Sequence, residues 1–352
     1  MSYESINTFP DKTKLREVKE FIDLLSYRRS SRPFVSLDHP IANYHYYDPT
    51  DYRSYTSITL QIGRNEHGQL HVYTRTSVHR NRHDCDFQNQ TIRQLKVRFG
   101  GTFETDFGKG RYLQCDQHHP ETPAESGCYL AYGGFVANLS VVDFYLAFRP
   151  PDTPPFHNPD SKLHVILDEL NPRLFTNNLL VPYFVAILEE YLEATFIALL
   201  RYSKSRSQLF RNIRLPADAL ERVATDSSSL EEEVANTLSF QNVHRFCHNF
   251  HMLDKRLDIA GALRKPYRRR KVSLFDTTVR LIEIRHKLIH GGQFDSRFTD
   301  AQIRSMALDL EEVVDRIYRT ITQRYGWEYR GERIFRMDRR KTSISGRSES
   351  RT

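Results

Sequence analysis

The sequence predicts an α+β protein of two domains, a β-rich first domain followed by an all-helical second domain. Three observations predict this fold class. The chain has 352 residues, enough for two hydrophobic cores. Apolar and polar residues alternate with the period of strands before residue 149, whereas apolar residues recur with the period of helices after it. Between these parts, residues 150–155 contain four prolines, which disfavour both helix and sheet.

These observations divide the chain into four predicted segments. Residues 1–149 form the β-rich domain with a short N-terminal helix, and residues 150–155 form a proline-rich linker. Residues 156–328 form the helical bundle. Residues 329–352 are basic, rich in Ser and Thr and poor in apolar residues, so we expect a disordered tail.

Composition sets mild limits on partners and compartment. Lys and Arg number 51 against 44 Asp and Glu, a net charge of +7 that permits a polyanionic partner without requiring one. Four scattered cysteines do not suggest a disulfide framework, which suits a reducing compartment. The first 14 residues lack an apolar signal core, and glutamates interrupt the most apolar stretch, residues 179–200. We therefore expect a soluble cytoplasmic protein without a membrane partner.

The first domain is predicted from one helix and several strands. Residues 11–25 carry apolar side chains at helical spacing and end near Arg28, Arg29 and Arg32, a cluster interpreted as a solvated helix end in preference to a phosphate contact. Two alternating runs flank a turn at residues 65–68 and predict a β-hairpin. The predicted strands are residues 57–62, 70–78, 92–99, 129–136 and 139–148.

Two further patterns in this domain can be interpreted either as structural or as functional. Glycines around Lys109 superficially resemble a phosphate loop, but the required spacing is absent, and a glycine-containing hairpin is favoured. Cysteine and histidine side chains of the kinds that bind zinc also occur, although their spacing matches no closed zinc pattern. This alternative set is Cys115, His118, His119 and Cys128, with His83 or Cys85 as a further ligand. Ordinary half-buried cysteines are the favoured interpretation.

The second domain is predicted as an up-and-down bundle of about five helices, after a short segment at residues 163–170. A long helix spans residues 181–201 with Pro182 in its first turn, and Pro216 opens another helix. Ser229 and Glu232 form a capping box, and residues 244–263 make one further helix. Ser273 with Asp276 caps the next helix, and residues 303–325 form the last.

The helix that begins after Ser273 carries the most informative pattern. Its apolar positions form two stripes, so we expect it to be buried on most of its circumference, with Arg285 beside a core-facing stripe. His290 follows five residues later, and Gly291 and Gly292 then predict a left-handed helix end. Residues five apart point about 140° away from each other on a straight helix. Arg285 and His290 therefore converge only if the last turn unwinds or if two copies of the helix meet.

An arginine, four residues and a histidine at the end of such a helix resemble the signature of the HEPN superfamily of ribonucleases and nucleotide-binding domains, most like its Apea-like branch. The resemblance includes the polar His286 and the aliphatic pair Leu288 and Ile289, and it covers roughly the second half of the chain. It implies that Arg285 and His290 are catalytic residues of a metal-independent ribonuclease, assembled across a homodimer, with no cofactor.

The chemistry of RNA cleavage suits these two residue types. RNA carries its own nucleophile, the 2′-hydroxyl, so an enzyme needs only proton transfer and stabilisation of the phosphate charge. Histidine has an unperturbed pKa of about 6.5, near operating pH, and arginine donates two hydrogen bonds to two phosphate oxygens. His290 is therefore assigned to general acid/base catalysis and Arg285 to the phosphate, with His286 and Lys287 as substrate-positioning residues. The products that the resemblance implies are a 2′,3′-cyclic phosphate and a 5′-hydroxyl.

A purely structural alternative stays open for both residues. Arg285 could pair with Glu189, Glu193 or Glu283, and His290 could bind the last carbonyls of its helix. A basic run before the motif helix, with Arg268, Arg269 and Arg270 at its centre, is either a solvated loop or a track for the RNA backbone.

The function predicted from the sequence is a dimeric HEPN endoribonuclease whose first domain senses an unknown ligand or trigger. The architecture resembles proteins of antiphage defence and abortive infection. The rival hypotheses are a non-catalytic HEPN module that binds nucleotide or RNA or mediates assembly, and an interaction protein stabilised by zinc.

Overall fold

The structure is a computed structural model that describes residues 2–31, 40–115, 120–149, 171–292, 295 and 298–331. The chain divides into two compact units, Met1–Ser126 and Gly127–Thr352. Among the described residues, every strand lies in the first unit, while the second is helical, which confirms the α+β class at this coarse level. The predicted linker at 150–155, the segment at 163–170 and most of the tail, 332–352, lie outside the described residues.

The first unit contains one seven-stranded antiparallel sheet with the strand order β2-β3-β4-β5-β1-β6-β7. The strands are β1 (Tyr3–Thr8), β2 (Arg28–Arg29), β3 (Ala42–Tyr46), β4 (Ile58–Arg64), β5 (Leu70–Thr76), β6 (Thr102–Thr105) and β7 (Gly108–Lys109). The predicted hairpin is confirmed as β4 and β5, joined by a turn in which Gly68 has a φ of 78°. β6 and β7 confirm that the glycines around Lys109 belong to a hairpin.

Two helices pack on this sheet, α1 (Leu15–Leu24) and α2 (Arg82–Phe99). The predicted first helix is confirmed as α1, and its Val18 and Ile22 are fully buried in a core shared with Leu60 and Val72 of the sheet. Arg28 and Arg29 form an exposed edge strand instead of a helix end, and Arg32 lies outside the described residues. Such a charged, very short edge strand discourages pairing with other chains.

The predicted strand at residues 92–99 is wrong, because these residues form the second half of α2. Their local alternation of apolar and polar residues was misleading. The wider window shows helical spacing, with Cys85, Gln88, Ile92 and Leu95 buried at intervals of three or four residues. Asn81 and the residue three positions into the helix, Asp84, form the capping box that starts it.

The interpretation of Cys115 as an ordinary half-buried cysteine is also wrong, and the scattered cysteines include one bonded pair. Cys85 of α2 and Cys115 form a disulfide bond that closes a sequence separation of 30 residues. Both side chains are buried in a core with Ile92 and Phe103. Cys128 and Cys247 are buried and are not part of this disulfide. The sequence carried no signal for this pairing, because the spacing of two cysteines does not reveal whether their Cα atoms approach each other.

Among the described residues, the second unit contains three long helices with shorter helices beside them. The helices are α3 (Pro123–Phe148), which begins four residues before the unit boundary, α4 (Pro172–Arg201), α5 (Arg206–Asn212), α6 (Ala217–Ala224), α7 (Leu230–Asn236), α8 (Val243–Leu253), α9 (Ile259–Arg264), α10 (Leu274–Gly291) and α11 (Asp300–Tyr325). α4 packs against α10 and α11, and α9 packs between α10 and α11. The predicted helices opened by Pro216, Ser229 and Ser273 are confirmed as α6, α7 and α10, and residues 303–325 are confirmed as α11.

The predicted strands at 129–136 and 139–148 are wrong, since both runs belong to α3. The β-branched and aromatic residues of this segment favour strands by propensity, but burial follows helical spacing at Tyr132, Phe135, Leu139, Val142 and Leu146. Residues 127–148 of α3 therefore belong to the helical unit, and the boundary between the compact units lies before residue 149.

α3 packs on the other two long helices of its unit, α4 and α11. The ring of Tyr132 stacks on Tyr318 of α11 with centres 4.5 Å apart, and Phe135 lies 5.9 Å from Tyr191 of α4. By length and composition α3 could cross a membrane: its most apolar 18-residue window has a mean hydropathy of 1.3, with 33% of the window buried. No other helix among the described residues is both long and apolar enough to cross a membrane.

Two details of the predicted bundle need correction. α4 begins at Pro172, capped by the Asn171 side chain, so Pro182 lies inside the helix and not in its first turn. The predicted single helix at 244–263 is two helices, because the chain is extended at Asp254 and Asp258 caps α9 through a 2.7 Å hydrogen bond from the Gly261 amide. The aspartates were the available signals for this break.

Candidate active site at the end of helix α10

Helix α10 is defined at both ends by local chemistry. The Ser273 hydroxyl accepts a 3.2 Å hydrogen bond from the Asp276 amide and thereby caps the first turn. At the other end Gly292 adopts the left-handed conformation, with φ 59° and ψ 16°, which confirms the predicted glycine stop. The helix is regular through Gly291, so the last turn does not unwind to bring Arg285 and His290 together.

Burial divides α10 into two halves. Leu274, Phe275, Thr278 and Leu281 of the first half are buried. Beyond Leu281 the residues are half-buried or exposed, and Ile289 is 49% exposed. The expectation that the helix is buried on most of its circumference is therefore wrong for the half that carries the motif. Helical periodicity predicted the positions of the apolar stripes. It does not predict how far the neighbouring helices of the same chain cover them.

Arg285 lies half-buried near α4. Its positive charge acts on Glu189, whose carboxyl pKa is raised by burial and lowered to a lesser extent by a hydrogen bond from Gln241 and by Arg285. No hydrogen bond or ion pair joins Arg285 to another residue of the described part of the chain. Of the three predicted carboxylate partners, Glu189 is thus an electrostatic neighbour of Arg285 and not a salt-bridge partner.

His290 has a neighbour that the sequence reasoning assigned only a supporting role. The imidazole rings of His286 and His290 lie with their centres 4.5 Å apart at an interplanar angle of 47°, and both residues are exposed. Their spacing of four residues places them one above the other on the same helix face. Lys287 is exposed on the same turn. The structure therefore brings the two histidines together and leaves Arg285 on another face of the helix, as expected for residues five apart.

The basic run before α10 is anchored at one point and exposed at others. Tyr267 is buried, and the guanidinium carbons of Arg268, Arg270 and Arg316 lie 4.9, 5.4 and 5.4 Å from its ring centre. Arg316 of α11 also donates a 2.9 Å hydrogen bond to the Lys265 carbonyl, which fixes the loop to the bundle. The loop is thus ordered by cation–π and hydrogen-bond contacts.

The three arginines predicted to bind substrate differ in their availability. Arg268 and Arg269 are exposed and have positive φ angles of 47° and 57°. Arg270 donates a 2.5 Å hydrogen bond to Asp309, a carboxylate that is almost completely buried on α11. Of these three arginines, Arg268 and Arg269 are therefore the more accessible to a polyanion, although the Arg268 guanidinium also contacts Tyr267.

Asp309 also contributes to a cavity that the sequence gave no reason to expect. The cavity has a volume of about 70 Å³, lies between α10 and α11 and is mostly apolar. Its lining residues are Thr277, Thr278, Arg280, Leu281, Ile284, Met306, Asp309, Leu310 and Val313. The predicted catalytic residues are not among them, so this cavity is separate from the histidine pair.

The alternative zinc set is not assembled as the sequence suggested. Cys85 and Cys115 are bonded to each other, and Cys128 is buried in the other compact unit. His118 and His119 lie outside the described residues. Within the described ranges, no group of three or more His, Cys, Asp or Glu side chains is arranged to hold a metal ion.

Comparisons with protein-family models, with curated proteins and with solved structures found no match to this chain.

Proposed function

We propose that this chain is a metal-independent endoribonuclease of the HEPN type that acts as a homodimer. The observation that carries the proposal is the exposed pair His286 and His290 at the end of α10, which follows directly after the half-buried Arg285. Arg285 has no ion pair within the described residues, so its guanidinium is available to a phosphate. An exposed imidazole and an available guanidinium are the two groups that cleavage through the 2′-hydroxyl requires.

In the proposed reaction, an imidazole of the pair removes the proton of the 2′-hydroxyl, and the 2′-oxygen attacks the adjacent phosphorus. The bond from phosphorus to the 5′-oxygen breaks, and an imidazolium donates a proton to that leaving oxygen. His290 performs one of these transfers, and His286 stands close enough to assist the other. Arg285 stabilises the negative charge on the phosphate through two hydrogen bonds. The products are a 2′,3′-cyclic phosphate and a 5′-hydroxyl.

The proposed dimer follows from the direction of the side chains. α10 is regular to its end, so Arg285 and His290 point about 140° apart in one subunit and do not face one phosphate. A second copy of α10 that packs across the exposed half would set Arg285 of one subunit beside His290 of the other. The half-exposed Ile289 at this end of the helix supports such an interface, because large apolar side chains gain stability from burial between subunits.

RNA binding is proposed to extend from the histidine pair to the loop before α10. Lys287, Arg268 and Arg269 are exposed cations on this helix and its preceding loop. Contacts with phosphates supply affinity without sequence preference and weaken with salt. By resemblance to defence proteins, we assign the first unit the role of a sensor whose ligand or trigger controls cleavage in antiphage defence.

The test is incubation of a structured RNA with the full-length protein in EDTA. The proposal expects cleavage that persists without metal and leaves 2′,3′-cyclic phosphate ends, identified by mass spectrometry. Arg285→Ala and His290→Ala should each abolish cleavage. His248→Ala, an exposed histidine on α8, is the matched control and should cleave like the wild type. RNA that stays intact but bound would favour the non-catalytic HEPN module instead.

A further inference from the structure

The histidine pair of α10 has a geometry that suits a second chemistry. His286 and His290 are separated by one helical turn, and both side chains are exposed. Their ring centres lie 4.5 Å apart. Neutral imidazole nitrogens are preferred ligands of zinc, nickel and copper ions, whereas magnesium and calcium prefer oxygen.

The spacing of the rings can be compared with that of a chelate. With a metal–nitrogen distance of about 2.0–2.1 Å, two imidazoles that bind one ion at a tetrahedral angle have ring centres roughly 5 Å apart. The observed 4.5 Å is close to this value, so a small rotation of the exposed side chains suffices to bind an ion. We propose that His286 and His290 form a bidentate binding site for a divalent transition-metal ion of the zinc, nickel and copper class.

The remaining coordination positions of such an ion are open to water, because no carboxylate or cysteine completes the set within the described ranges. A site with two protein ligands binds reversibly and is not a structural zinc site, which uses four. Binding uses the same nitrogen lone pairs that accept protons. An ion held by the pair therefore prevents His290 from transferring a proton, and this inhibitory consequence, unlike the binding itself, rests on the proposed ribonuclease function.

Helix α8 offers an internal comparison. His244 and His248 have the same spacing of four residues and are also exposed. However, the ring of His244 packs edge-to-face on Phe275, with centres 4.9 Å apart at 76°. This contact holds the imidazole against the core instead of beside His248, so the same spacing does not produce a chelating pair there.

The experiment is titration of the full-length protein with Ni²⁺ in competition with a chromophoric metal indicator. We expect one equivalent per subunit whose binding depends on both histidines of α10. His286→Ala and His290→Ala should each weaken this binding by at least about tenfold, because a chelate holds its second imidazole at a high effective concentration. His248→Ala, matched in residue type and exposure, should leave the affinity unchanged. Equal affinities in the wild type, His286→Ala and His290→Ala would overturn the proposal, as would a loss in His248→Ala alone.

A second readout separates this proposal from the ribonuclease proposal. In the RNA assay, Zn²⁺ should inhibit the wild type. The rate of each protein is compared with its own rate without metal, and His286→Ala should need at least about tenfold more Zn²⁺ than the wild type to lose half of that rate. If the wild type cuts no RNA, but His286→Ala and His290→Ala each bind Ni²⁺ more weakly than the wild type, the ribonuclease proposal fails and the metal site stands. If RNA is cut and the Ni²⁺ affinities are equal, the metal site fails and the function stands.

Discussion

Asp84 provides a quantitative test of how a buried charge affects the stability of the first unit. Its carboxyl group is fully buried yet accepts several hydrogen bonds. One oxygen, Oδ2, accepts hydrogen bonds from the backbone amides of Tyr55, Thr56 and Asn81 at 3.0, 3.2 and 3.2 Å. The other oxygen, Oδ1, is buried without a hydrogen-bond partner. Burial raises the pKa of Asp84 from 3.8 to about 6, despite the opposing effect of the hydrogen bonds from Asn81, Tyr55, Ser54 and Thr56. The ionised form is therefore disfavoured in the folded protein.

The direction of the pH effect follows from this raised pKa. The folded state holds the proton more tightly than the unfolded state, so stability is greatest below the unfolded pKa and decreases as pH rises through the folded pKa. A rise from 3.8 to about 6 corresponds to about 3 kcal/mol at neutral pH, since one pKa unit is about 1.4 kcal/mol.

Asp84→Asn keeps an acceptor oxygen for the three amides and places an uncharged group at Oδ1. We expect this variant to be more stable than the wild type by up to about 3 kcal/mol near pH 7.5, and the difference should shrink by roughly 2 kcal/mol near pH 4.5. Asp84→Ala removes the acceptor and should be destabilised at both pH values, because unsatisfied buried amides cost about 1–3 kcal/mol each.

The assay is hydrogen–deuterium exchange by mass spectrometry, which reports the opening free energy of peptides from β4, β5 and α2 without requiring the whole chain to unfold at once. Wild type and variant are compared at the same pH, so that the intrinsic exchange rates cancel. If Asp84→Asn is destabilised as strongly as Asp84→Ala at both pH values, the negative charge itself stabilises the fold and the reasoning from burial is refuted.

Two further predictions concern the disulfide and the basic loop. Of the four cysteines, two should react with a thiol reagent after denaturation without reductant. Reduction should destabilise the first unit by about 3–4 kcal/mol, the value for closing a loop of 30 residues between Cys85 and Cys115. Four reactive thiols would contradict the pairing. Arg270→Ala should destabilise the second unit by about 1–2 kcal/mol in urea unfolding, because it leaves the Asp309 carboxylate buried without its cation. This value is lower than for a fully buried ion pair, because Arg270 is partly exposed and solvent screens its charge. Arg268→Ala, the exposed neighbour, should change stability by less than about 0.5 kcal/mol, and equal effects of the two substitutions would contradict this account.

The sequence predicted those elements whose ends are set by local chemistry. The hairpin turn before Gly68, the capping box of Ser229 and the Gly292 helix end all depend on residues within one turn of each other, and the structure confirms them. α2 and α3 were missed for different reasons. In α2 the local alternation of residues 92–99 predicted a strand, although the wider helical spacing and the capping box of Asn81 and Asp84 were present in the sequence. In α3 the β-branched and aromatic residues favour strands locally, and burial against distant elements selects the helix.

The candidate site was predictable in residue type but not in exposure. The spacing of His286 and His290 already placed them on one helix face, and the five-residue separation already separated Arg285 from His290. The sequence did not reveal that the motif half of α10 is uncovered by its own chain, because exposure depends on where other helices end. It also did not reveal that Asp309 binds Arg270, since the partners are 39 residues apart.

The central claim is that Arg285 of one subunit and His290 of its partner act on the same phosphate, and subunit complementation tests it most directly. Arg285→Ala and His290→Ala, each expected to be inactive alone, are co-expressed in equal amounts. In a two-fold symmetric dimer about half of the molecules are then mixed, and each mixed dimer has one intact site and one doubly defective site. We expect the mixture to recover about one quarter of the wild-type rate of RNA cleavage in EDTA. Mixed dimers that form but recover no activity would contradict the shared site.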